Sequence, residues 1–115
     1  MSKTIGELLS DINIKGYGIC YGQTRTIKRA HDREALAYIK SFSSLIVIYK
    51  KRGGYLGHYF TQELMDGYCY GKSQVLNAHR ALEFIKKYIG KNLGEIHIED
   101  GLEQKIIDIE MVNAL

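Results

Sequence analysis

The sequence predicts an α+β domain: one antiparallel or mixed sheet, two main helices on one face, and a short N-terminal helix. Three observations lead there. Short apolar runs rich in β-branched and aromatic residues recur along the chain, as strands require. Between them, apolar residues repeat at three- and four-residue intervals, as one face of a helix requires. The 115 residues suit a single domain, 1–115, with 45% hydrophobic and 25% charged residues, close to globular averages.

The first element is a helix over about 4–12. Thr4 and Glu7 fit a capping box, and Ile5, Leu8, Leu9 and Ile12 follow the i, i+3, i+4, i+7 rule. Residues 14–21 read as a strand weakened by Gly16 and Gly18. Residues 24–28 fit either a continued hairpin or a helix start capped by Thr24. From Asp32 a helix is expected, because Ala35, Tyr38, Ile39 and Phe42 repeat at helical spacing.

Leu45–Tyr49 reads as a strand. Lys50-Lys51-Arg52-Gly53-Gly54 reads as a hairpin turn leading back through Tyr55–Thr61. Residues 64–70 form another short apolar run. Ser73 is placed to cap a helix reaching Ile89, with Gly90 ending it. The pattern then predicts a last hairpin, 95–99 with 105–112, turning at Asp100-Gly101.

Two stretches, 14–61 and 64–112, resemble each other. Cys20-Tyr21-Gly22 recurs as Cys69-Tyr70-Gly71, Ala30-His31 as Ala78-His79, and the segment 35–40 as 81–86. A duplicated strand–helix–strand–strand unit is one reading; chance among common residues is the other. A duplicate would bury its two apolar helix faces on one sheet.

Composition narrows the function classes. No apolar run approaches the roughly 20 residues of a membrane helix. The N-terminus lacks a secretory pattern, so an unexported, cytoplasmic protein is expected. Two cysteines are too few for a disulfide framework. Gly71-Lys72-Ser73 resembles part of a phosphate loop, but the position five residues before Gly71 is Asp66, and a helix cap at Ser73 is the better reading. Cys20/His31 and Cys69/His79 lack zinc-site spacing, so neither a metal nor a cofactor is expected.

Charge is distributed unevenly. Residues 1–91 hold 15 Lys/Arg and 7 Asp/Glu, whereas residues 92–115 hold one Lys and 6 acids. Nine tyrosines are interspersed with the basic segments. Cations neutralise phosphates and exposed rings stack on bases, which is how a sheet engages single-stranded nucleic acid. The expectation is a small non-enzymatic binding protein whose basic, tyrosine-bearing surface engages nucleic acid or a nucleoprotein complex. Its candidate residues are Arg25, Lys28, Arg29, Lys50, Lys51 and Arg52, with Tyr49 and Tyr55 as stacking rings.

The acidic C-terminal segment has three readings: it neutralises the basic face, pairs with a second copy in a homodimer, or binds a basic protein. Two alternatives accompany the main expectation. One is a protein–protein inhibitor or adaptor of phage or mobile-element type. The other is a small enzyme built on His58, Glu63 and nearby tyrosines.

Overall fold

A computed structural model describes residues 3–12, 31–41, 43–65, 68–92 and 94–114. The predicted class holds: a five-stranded antiparallel sheet carries helices against it. The elements are α1 (Ile5–Ser10), β1 (Ala35–Lys40), β2 (Ser44–Lys51), β3 (Gly54–Met65), β4 (Tyr68–Asn77), α2 (Ala78–Lys86), β5 (Glu95–Ile98) and α3 (Leu102–Ala114). The strand order is β4-β3-β2-β1-β5. Four strands form a meander, and the chain then crosses the sheet through α2 so that β5 pairs with β1.

Period-2 alternation on β2 divides the core in two. Leu45, Val47 and Tyr49 face α1, joined by Phe60 and by Ile5, Leu8, Leu9 and Ile12 of the helix. Ile46 and Ile48 face the other way, against Ala81, Leu82 and Ile85 of α2 and Leu102 and Ile106 of α3. The two main helices therefore do share one face.

α1 starts as its capping signal predicts. The Glu7 amide donates to Thr4 Oγ1 at 3.2 Å, and the Thr4 hydroxyl donates to Glu7 Oε1. The Ile5 and Gly6 amides, which a helix start leaves without intrahelical partners, donate to the carbonyls of Arg33 and His31 at 2.9 and 2.8 Å. This backbone seam fixes α1 on the sheet.

Four expectations are corrected. Segment 35–40 is a strand rather than a helix. It lies between β2 and β5 and is buried on both faces, so its apolar residues run nearly continuously and mimic a helical repeat. A bulge at Leu36 puts Ala35 and Tyr38 on the same face. Segment 71–77 extends β4 against β3, so the helix begins only at Ala78. Its cap is Asn77, whose Oδ1 accepts the Arg80 amide at 2.7 Å, and not Ser73.

Segment 105–112 belongs to α3 rather than to a hairpin. After Gly101, at φ 78°, Leu102 and Ile106 reach the core at helical spacing. Finally, 35–40 and 81–86, equivalent helices in the duplication reading, are a strand and a helix. The two main helices arise from α2 and α3, not from that pairing. Phe42 and the elements expected over 14–30 lie outside the described residues.

Candidate anion-binding surface

The β2–β3 hairpin forms as the sequence predicts. Lys51 pairs with Gly54, leaving Arg52 and Gly53 as a two-residue loop. Gly53 takes the left-handed φ of 84° that side chains disfavour, and this lets the strands reverse so tightly. Three consecutive cations, Lys50, Lys51 and Arg52, are thereby held exposed at the end of a rigid ribbon.

A fourth cation joins them. Arg33, in the seam beside α1, donates from Nη1 to the Lys50 carbonyl at 3.2 Å. Among the described residues, Lys50, Lys51 and Arg52 form no ion pair. Beside the tip lies a cavity of about 220 Å³, lined by Lys51, Arg52, Tyr55, Asn77, Ile109 and Glu110. Tyr55 is half-buried there, opposite Lys50 in the hairpin register.

Lys3, Lys40 and Lys86, by contrast, are neutralised. Lys40 Nζ lies 2.8 Å from Glu95 and 3.2 Å from Asp11, and Lys3 lies 3.6 and 3.7 Å from the same two carboxylates. The Tyr38 hydroxyl donates to Glu95 at 2.9 Å. Hydrogen bonds from Lys40 and Tyr38 hold the Glu95 carboxyl down at about 2. Burial, reinforced by Glu95, pushes the Tyr38 hydroxyl up to about 12. On the other face Lys86 meets Glu103 at 2.6 Å, and His79 lies between Glu83 at 2.9 Å and Glu110 at 3.7 Å. Acids after residue 92 thus pair with Lys3, Lys40, Lys86 and His79, but form no ion pair with the hairpin tip.

The candidate residues have different fates. Lys50, Lys51, Arg52 and Tyr55 are brought together. Tyr49 is not a stacking ring. It is 5% exposed, facing α1 with Leu45 and Val47, and burial raises its hydroxyl pKa. Arg25, Lys28 and Arg29 lie outside the described residues. Arg33, which belongs to the same basic run, is the member the structure places at the tip.

His58 lies in β3, within the strand expected over Tyr55–Thr61. It is 0% exposed, stacks on Phe60 with ring centroids 4.6 Å apart, and neither ring nitrogen has a hydrogen-bond partner among the described residues. Burial drives its pKa down to about 4. Its ring lies on the same side of the sheet as Phe60, across from Val47 of β2. Gly71-Lys72-Ser73 lies in mid-strand, with Ser73 buried opposite Phe60, and does not form a loop before a helix. His31 lies by α1 and His79 on α2, on opposite faces of the sheet.

Among the described residues no three His, Cys, Asp or Glu side chains group to hold a metal, and no helix is long and apolar enough to cross a membrane. The chain matches no protein-family model, no curated protein and no solved structure.

Proposed function

We propose that this protein is a non-enzymatic binding protein that engages an anionic partner, nucleic acid or a nucleoprotein complex, through the tip of the β2–β3 hairpin. One observation supports the reading above the rest. Lys50, Lys51 and Arg52, with Arg33 beside them, form no ion pair among the described residues, while Lys3, Lys40 and Lys86 are paired. A row of cations on a stiff ribbon meets phosphates without first breaking internal ion pairs, and the half-buried Tyr55 stands opposite Lys50 in the hairpin. The expected mode is dominated by backbone phosphate contacts, because only one ring accompanies the charges.

Fluorescence anisotropy with a labelled single-stranded oligonucleotide, titrated at a series of salt concentrations, tests this. Affinity should fall linearly on a log–log scale, with a slope of about −0.7 per phosphate neutralised. The triple variant K50E/K51E/R52E should bind at least tenfold more weakly and show a shallower slope, while Lys86→Glu should bind as the parent does. No binding at low salt, or equal binding by the triple variant, would remove the proposal.

A further inference from the structure

Three elements meet beside the hairpin tip, and they line the cavity of about 220 Å³ with different chemistry at different depths. Ala78, at the start of α2, and Ile106, on α3, are buried, so the floor is apolar. Tyr55 is half-buried and forms one side. Lys51, Arg52, Glu110 and Asn113 are exposed and form the rim.

That rim is divided by charge. Lys51 and Arg52 stand on the hairpin, whereas Glu110 and Asn113 stand on α3, three residues apart and so on one side of the helix. Among the described residues no ion pair joins the two walls, so the cations and the carboxylate flank the cavity without closing it. Glu110 Oε2 lies 3.7 Å from His79 Nδ1, beyond hydrogen-bond length, and both carboxylate oxygens keep their capacity to accept.

An occupant must present an anion to the hairpin, hydrogen-bond donors to α3 and a flat apolar face to the floor. An acidic peptide fails at Glu110, because its carboxylates only accept and meet a like charge there. An unpaired nucleotide satisfies all three demands: phosphate for Lys51 and Arg52, ring face for Ala78 and Ile106, base edge for Glu110. The bases differ at that edge, which unpaired strands leave open to be read. Guanine sets N1–H and the N2 amine side by side, matching the two oxygens of one carboxylate. Adenine and cytosine set their single amine beside a ring-nitrogen acceptor. Thymine sets its one N–H between two carbonyls, which a carboxylate repels.

We propose that this cavity takes one unpaired guanine from the strand held at the hairpin tip, with the Glu110 carboxylate accepting from N1–H and the N2 amine. The site rests on the hairpin reading: the tip supplies affinity for any strand, and the cavity adds a preference among bases.

Fluorescence anisotropy tests this with a thymine-only strand and strands of equal length carrying one central guanine, inosine or adenine. The parent protein should bind the guanine strand roughly tenfold more tightly than the thymine strand, as one bidentate base contact provides. Inosine lacks the N2 amine and should lose most of that preference, and adenine should show none. Glu110→Gln turns one acceptor oxygen into a donor facing a donor, and should bring the guanine-to-thymine ratio to about one. Asn113→Trp, which fills the cavity from an exposed position, should do the same with the parental far-ultraviolet circular dichroism retained. Asp108→Asn makes the same charge change on the same helix, at a side chain that accepts from Gln104 and lies outside the cavity lining, and should keep the parent's ratio. Equal affinity of the parent for guanine and thymine strands, or a preference that survives Glu110→Gln, would overturn the guanine site and leave the hairpin reading standing. Failure of every strand to bind at low salt would overturn both.

Discussion

The two faces of the sheet are built on different principles. Beneath α1 the core mixes aromatic and polar groups: Phe60 stacks on His58, Tyr49 is buried, and Tyr38 reaches out to Glu95. Beneath α2 and α3 the core is aliphatic, Ala37, Ile39, Ile46 and Ile48 against Ala81, Leu82, Ile85, Leu102 and Ile106, and no titratable side chain is among its buried members. The first face should therefore respond to pH, while the second should respond to changes in side-chain volume.

The largest effect belongs to His58. Its folded pKa of about 4 lies below the ordinary 6.5, so the folded ring stays neutral where the unfolded one takes up a proton. The stability this provides is complete above pH 6.5 and is lost as pH falls towards 4, amounting to about 3 kcal/mol. Urea unfolding at pH 7 and pH 4 should show that loss, and His58→Leu should flatten it. An unchanged slope in the variant would place the acid sensitivity elsewhere.

The aliphatic face should fail on volume instead. A Cβ at Gly57 would lie 2.5 Å from Ala81 Cβ and 3.0 Å from the Asn77 carbonyl oxygen, so α2 crosses β3 where that strand has no side chain. Gly57→Val should cost about 2 kcal/mol by forcing helix and strand apart, with no new pH dependence. A midpoint equal to the parent's in urea would show that α2 lifts without penalty.

The smallest effect is expected at the charged rim of the first face. Glu95 is 45% exposed, so solvent screens its contacts with Lys40 and Lys3. Glu95→Gln should lower stability at neutral pH by about 0.5–1 kcal/mol. Because the carboxyl titrates at about 2 rather than 4.5, its contribution is lost only as pH falls through that lower window, below the range of His58. A proton titration by NMR resolves the two windows.

Elements whose signals were local could be read from the sequence. Thr4 and Glu7 announce α1, and a run of three cations before Gly53-Gly54 announces the hairpin, because a cap and a tight turn are decided by a few adjacent residues. Segments decided by distant partners could not. Ala35–Lys40 becomes a strand because β2 and β5 both pair with it, and Ser73–Asn77 stays extended because β3 is long enough to hold it.

The candidate site divides in the same way. Exposure of Lys50, Lys51 and Arg52 follows from the turn. Burial of Tyr49 was available from strand parity, since it shares a side with Leu45 and Val47.

The pairing of β5 with β1 also has a consequence for assembly order. The β2–β3 hairpin closes with a two-residue loop, whereas the contact of Tyr38 with Glu95 spans 57 positions. Short-range ladders form fast and long-range ones slowly, since closing a longer loop costs more chain entropy. During synthesis the meander can zip up while β1 still lacks its outer neighbour. Until residue 98 has left the ribosome, that strand presents bare amides and carbonyls to any other nascent chain.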